Sequence, residues 1–281
     1  MPHQKDKIYL NALNRAFANN FLELFSLLSS GKSIQDIWNN PNPSLKKNIN
    51  PFKEWQYLKE KQINFVLNKD KEFPLLLKEI PQAPFGFYIK GKIPEKMPLI
   101  AVVGTRKISS YGKIVTEKIV QELIKYNFVI VSGLAYGIDT IAHQSALKNQ
   151  GKTVAILGSG INNIFPLTNQ KLAEQITKNG ALISEYSLNT YPLKPYFPWR
   201  NRIISGLCLA TIIIEAPERS GALITARFAL EQNREVFAIP GSILNENSVG
   251  SHNLIKQGAK LVSQIEDILE ELKFTYSLFL K

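Results

Sequence analysis

Apolar and polar positions follow two different periods along this chain. Between residues 8 and 30, Leu10, Leu13, Phe17, Phe21, Leu24 and Leu28 recur at steps of three and four. That spacing gathers one apolar stripe on a helix. Residues 33–38 add a helical turn, Asn39-Asn40-Pro41-Asn42-Pro43 reads as loop, and residues 52–61 are helical with Trp55 and Leu58 on one side. The pattern predicts a helical N-terminal module over residues 1–62. From Ile63 the character changes. Residues 63–67 and 86–91 read as strands around a short helix that begins at Phe73, and Pro81, Pro84 and Gly86 punctuate them. Residues 63–97 are expected to form a lead-in that packs on the main sheet.

Beyond Pro98 the alternation becomes regular. Short, β-branched apolar runs at 99–103, 128–131, 153–157, 181–184, 211–214 and 235–239 read as buried parallel strands. Helical spacing fills 111–127, 137–149, 169–179 and 220–233, with short C-terminal helices over 254–258 and 265–272, and Gly180 is placed as a glycine just past a helix end. Strands alternating with 10- to 15-residue helices predict an α/β fold over residues 98–272, a Rossmann-like, doubly wound, mostly parallel sheet. Right-handed crossovers put every strand-to-helix loop on one edge, so the loops at Gly104, Gly133 and Gly158 lie side by side where ligands bind in open α/β sheets. The first of them, Gly104-Thr105-Arg106-Lys107, joins an apolar strand to a helix. Its backbone N–H groups are expected to face an anion, and its two cations add positive charge.

Composition narrows the ligand. Net charge is +11, carried as +6 by residues 1–96, +3 by residues 97–272 and +2 by the last nine. Basicity favours a polyanion partner, but its excess is not concentrated on the α/β part. No apolar run approaches the roughly 18 residues of a membrane span. The N-terminus lacks the apolar core of a signal peptide, and the single cysteine, Cys208, fits a reducing cytoplasm.

The standard chemistries are poorly supplied. Gly158-Ser159-Gly160 has Asn163 at the third glycine position of a dinucleotide fingerprint, Phe165-Pro166 breaks the helix that should follow, and no acidic ribose ligand ends the strand before Ser132-Gly133. There is no P-loop and no G-x-S-x-G elbow. His3, His143 and His252 have no metal-ligand spacing, and neither metal nor cofactor is expected. Asp139 and Glu185 could serve as acid and base, although Asp139 near a helix start is explained by the helix dipole alone. Lys194-Pro195-Tyr196-Phe197-Pro198-Trp199-Arg200-Asn201-Arg202 interleaves three cations with three aromatics. It follows a strand and a proline-punctuated loop (Tyr191, Pro192) and so extends over the same sheet edge, with the combination that a single-stranded nucleic acid uses for phosphates and bases.

Together the motifs resemble the DNA-processing protein A (DprA/Smf) family of bacteria. They are VVGTRKISSYG (Val102–Gly112), VSGLAYGIDTIAH (Val131–His143), SEY (Ser184–Tyr186), FPWRNRIISGL (Phe197–Leu207), EAPERSGALITARFALEQNREVFAIPGS (Glu215–Ser242) and GSHNLIKQGA (Gly250–Ala259). Order and spacing hold from about Phe73 to Leu272. The resemblance implies a cytoplasmic, dimeric single-stranded DNA-binding protein that protects incoming strands in natural transformation and helps load the recombinase RecA, without catalysing a reaction. It implies that Arg106 and Lys194 meet phosphates and Phe197 stacks on a base. The expected DNA-binding set is Gly104, Thr105, Arg106, Lys107, Gly133, Lys194, Phe197, Arg200, Asn201 and Arg202, with the glycine loops admitting the DNA backbone closely. Two departures stand out. Only residues 273–281 follow Leu272, so the winged-helix-like domain of many members is expected to be absent, and His252 stands where the family usually has asparagine, near the region implicated in dimer contact. A nucleoside-monophosphate hydrolase or a nucleotide-sensing module are the alternatives; the hydrolase's glycine-rich loop is replaced here by Ala216-Pro217-Glu218-Arg219-Ser220-Gly221.

Overall fold

Hydrophobic alternation along the strands splits the core into layers. The structure, a computed structural model, describes residues 2–39 and 48–277. Helices α1 (Pro2–Ala16), α2 (Phe21–Ser29), α3 (Ile34–Asn39) and α4 (Pro51–Glu60) come first. Asn50 caps α4 by accepting from the backbone N–H groups of Phe52 and Lys53, with Pro51 in the first turn. The stripe over residues 8–30 is therefore two helices rather than one. Asn19 and Asn20, poor helix formers, interrupt it, and the reorientation sends Phe21 onto Tyr186 and Tyr196 while Leu10 and Leu13 stay with α4's Leu58. The loop expected after Asn39 lies outside the described residues.

Next come β1 (Asn64–Leu67), α5 (Leu75–Lys78) and β2 (Gly86–Gly91), then β3 (Leu99–Val103), α6 (Ser110–Lys125), β4 (Val129–Ser132), α7 (Ile138–Lys148), β5 (Thr153–Leu157), α8 (Gln170–Asn179), β6 (Gly180–Ser184), α9 (Tyr196–Gly206), β7 (Ala210–Ile213), α10 (Gly221–Glu231), β8 (Glu235–Ala238), α11 (Val249–Lys256), β9 (Lys260–Leu261) and α12 (Glu266–Ser277). The nine strands form one sheet in the order β1-β2-β6-β5-β4-β3-β7-β8-β9. From β6 to β9 all neighbours are parallel, and β1 and β2 extend the β6 edge antiparallel. This is the α/β, Rossmann-like, mostly parallel sheet that the alternation predicts. Gly180 is not the left-handed helix end expected of it. Its φ of 175° is extended, and it is glycine because a Cβ would sit 1.9 Å from the Thr153 carbonyl oxygen across the ladder.

Successive residues of β3 serve opposite faces. Ile100 and Val102 pack with α6, α7 and α12, whereas Ala101 and Val103 pack with α9 and α10. On the α6–α7 side near β2, the Tyr88 hydroxyl donates to Asn11 Oδ1 (2.8 Å) and accepts from Asn14 Nδ2 (3.3 Å), tying α1 to the sheet. Strand β3 is flanked by β4 on one side and β7 on the other, so the chain reverses its direction of winding there. That switch point opens a crevice at the carboxyl ends of β3 and β7. Helix α9, on the crossover from β6 to β7, brings its N-terminal end to the same edge.

Candidate nucleic-acid interface

The loop after β3 is organised around a carboxylate of the protein itself. Glu215, 1% exposed at the end of β7, accepts hydrogen bonds from the Ser109 backbone N–H (3.1 Å) and the Ser109 hydroxyl. Ser109 Oγ in turn accepts from Gly112 N, capping α6. The Thr105 N–H donates to the Glu215 carbonyl (2.7 Å), and the Lys107 N–H donates to Thr105 Oγ1. Gly112 is glycine for the same reason, since a Cβ there would lie 2.2 Å from Glu215 Oε2. The anion at this helix N-terminus is thus internal, and the amides of Thr105, Lys107, Ser109 and Gly112 face the protein's own acceptors instead of a ligand. What the loop offers outward are the exposed side chains of Arg106 and Lys107.

The other glycine loops are also filled from within. A Cβ at Gly133 would meet Arg200 Nη2 at 2.5 Å and Asp139 Oδ2 at 2.7 Å; one at Gly158 would meet the Phe197 ring at 2.8 Å; one at Gly104 would meet Ile138 Cγ1 at 2.5 Å. Each of these glycines is approached closely by a neighbouring protein group. Gly133 is buried, and its N–H and that of Ala135 both donate to Asp139, which sits in the first turn of α7. Burial raises the Asp139 carboxyl above its ordinary range, against the opposing pull of Arg200. The Arg200 guanidinium, 4% exposed, donates to the carbonyls of Gly133 and Ile156, and its pKa is lowered to about 10 by desolvation. It fastens the ends of β4 and β5 from beneath the edge.

The stretch from Lys194 to Arg202 reaches the sheet edge as the start of a helix. From Tyr196 it is helix α9, and helical geometry turns its cations to different sides. Arg202 is fully buried. It pairs with Glu185 Oε1 at 2.6 Å, donates to the Gln82 carbonyl and lies 4.3 Å from the Trp199 ring centroid. Arg202 therefore belongs to the packing between α9, β6 and the residues before β2, and its side chain is closed off from the surface. Asn201 is also largely buried, donating to the Gly221 carbonyl, and Lys194 and Phe197 stay at the surface.

A cleft of about 630 Å³ lies at the switch point. Arg106, Lys107, Lys194 and Arg219, all exposed, line it together with Phe197, Phe165, Asn201 and Ser220. The Arg106 guanidinium stands over the Phe197 ring at 5.6 Å, and the Phe165 ring is tilted 5.5 Å from Phe197 on the cleft wall. Cation, ring and ring thus meet in one row. Gly104, Thr105, Asp139 and Arg200 form part of the lining; Gly133 and Arg202 do not. Arg219 and Phe165 were not among the residues expected from the sequence. Arg219 sits in the β7–α10 loop, opposite Arg106 across the switch point, a position legible once strand order is known. Phe165 stood out only as part of a helix-breaking Phe-Pro pair.

Residues 64–273 match the model of DNA recombination-mediator protein A. The chain belongs to this family. Among its relatives is the DNA processing protein DprA of Streptococcus pneumoniae, 48% identical over 206 residues that make up 73% of either chain. Protein Smf of Escherichia coli is 44% identical over 218 residues, 76% of this chain and 58% of that one. The solved structure of DNA processing protein A from S. pneumoniae superposes with a TM-score of 0.77 at 38% identity, covering 94% of this chain and 97% of that one. A structure from Helicobacter pylori, concerned with the single-stranded DNA binding mode of DNA processing protein A, gives 0.67 at 30% identity over 76% of this chain and 97% of that one. The six motifs singled out in the sequence all fall within the matched span, and the chain is a DprA-like DNA-processing protein. No helix among the described residues is long and apolar enough to cross a membrane.

Proposed function

We propose that the switch-point cleft holds single-stranded DNA, with Arg106, Lys107, Lys194 and Arg219 on phosphates and Phe197 stacked on a base. The observation that carries this reading is the row formed by Arg106, Phe197 and Phe165 in a cleft where the Thr105, Lys107 and Ser109 amides are already engaged within the protein. A mononucleotide or dinucleotide site needs free amides around a phosphate; a polymer track needs side-chain cations and exposed rings. In this reading the protein binds rather than catalyses, works in the cytoplasm as a homodimer, and presents the strand to the recombinase RecA in transformation and recombination. Residues 98–272 are the DNA-binding domain, 63–97 its sheet extension and 1–62 an accessory helical module.

The test is a titration of oligo-dT and a matched duplex across salt, with light scattering on the same samples. The single strand should bind more tightly, and each cation removed should flatten the log–log salt slope by about 0.7. Equal affinity for duplex and single strand, or an Arg106→Ala variant with unaltered affinity and slope, would refute the site. A monomer at all DNA lengths would remove the dimer, and unchanged RecA filament formation on protected DNA would remove the loading role.

A further inference from the structure

The cleft does not end at Phe165. A second groove of about 590 Å³ begins on the other side of that ring and shares Phe165 and Pro192 with the first. Its walls come from the β5–α8 loop, the start of α8 and the segment after β6. Tyr191 and Leu167 are 73% and 76% exposed there, with Phe165 at 40%. Large apolar side chains standing this far out along one groove mark a binding surface. The groove differs from the cleft in charge. Lys90 and Glu174 are the charged residues that line it, one of each sign, and the polar remainder includes Asn162, Asn163 and Gln170. Asn162 and Asn163 are held in place by hydrogen bonds to Asn189 (2.7 and 2.8 Å).

We propose that this groove is a second DNA subsite, which receives bases of the strand as it leaves the cationic cleft; the proposal rests on the reading given above. Three features favour a nucleic-acid strand as the occupant. The groove is continuous with the cleft through a shared aromatic wall. It offers two exposed rings, Phe165 and Tyr191, on which bases of any sequence can stack. Its carboxamides suit base edges, and its lack of net charge suits bases rather than phosphates. Division of labour follows: the cleft grips the backbone electrostatically, and the groove adds length-dependent affinity with little dependence on salt.

The experiment compares wild type, Tyr191→Ala, Tyr191→Phe and Arg106→Ala on oligo-dT of about eight and about sixteen nucleotides, lengths within the usual range of single-strand sites. Anisotropy is read from low to moderate salt, so that the short strand is still held. Tyr191→Ala should weaken the long strand by about fivefold or more, the loss expected for one stacked base. It should leave the short strand and the salt slope unchanged, and Tyr191→Phe should restore the wild-type value. Tyr191 is 73% exposed, so the fold survives the change. If Tyr191→Ala weakens neither length, or both equally, the subsite is refuted, and a protein partner becomes the occupant to seek. Arg106→Ala separates the two ideas: it should weaken both lengths, and if it weakens neither, the underlying cleft reading falls instead.

Discussion

Replacing Glu215 with alanine should both loosen the fold and expose an anion site that the native protein keeps closed. The carboxylate accepts from the Ser109 N–H and hydroxyl and lies against the first turn of α6, where Gly112 leaves room for it. Hydrogen bonds to a charged acceptor contribute roughly 1.5–3 kcal/mol each, and a carboxylate at a partly buried helix N-terminus up to about 2 kcal/mol. Water entering the half-exposed turn at Ser109 recovers part of that, and the variant no longer carries the desolvation cost of a buried carboxylate. The net loss should be about 2–4 kcal/mol, or roughly 5–10 °C in Tm for a chain of this size. Inorganic phosphate or sulfate should then occupy the vacated N-terminus. At ten times its Kd, such an ion returns about 1.4 kcal/mol to the variant and nothing to the wild type. Differential scanning calorimetry with and without the anion reads both effects. A variant that melts with the wild type, or a wild type stabilised by phosphate or AMP as strongly as the variant, would show that Glu215 does not block the loop.

Three further outcomes follow from the same geometry. Arg202→Ala leaves Glu185 buried without its partner and should cost about 3–5 kcal/mol, lowering Tm by roughly 10 °C, while oligo-dT affinity measured well below that Tm stays at the wild-type value; weakened binding by a fully folded variant would return Arg202 to the interface. Arg219→Ala should flatten the salt slope by about 0.7 with no change in Tm, and an unaltered slope would place the strand on the Arg106 side alone. Burial pushes the His143 imidazole down to about 3, against about 6.5 in an unfolded chain. Its stabilising contribution is therefore whole above about pH 6.5 and drains by about 1.4 kcal/mol per pH unit as the unfolded state takes up the proton. Denaturant titrations from pH 7 to 4 should show that acid limb flattened in His143→Phe, and an unchanged limb would refute the assignment.

The alternation of apolar runs with helical spacing determined the fold class, because a strand buried on both faces must be apolar throughout and a crossover helix must carry one apolar stripe. The motifs determined the family, and Arg106, Lys107, Lys194 and Phe197 stand at the cleft where the sequence reading expected a ligand-facing edge. Helix against loop was less legible: two prolines and three aromatics before Arg200 carry no clear helical period, yet the stretch packs as α9 because Tyr196, Ile203 and Ile204 bury on its inner side. The two-residue strand β9 carries too little pattern to be seen, and α12 runs on past Leu272 to Ser277.

Only tertiary structure decided which charges face outward. Arg200 and Arg202 are two residues apart and chemically alike, but one fastens strand ends beneath the cleft and the other is sealed against Glu185 and Trp199. Glycines at strand ends carry the same ambiguity, because a missing side chain marks a close approach without saying by what. Here Glu215, Asp139 and Phe197 make that approach, from positions 103, 6 and 39 residues beyond Gly112, Gly133 and Gly158 in the chain. Sequence patterning reports local periodicity and burial. Which distant group fills a given space depends on strand order, and that is settled when β7 returns beside β3.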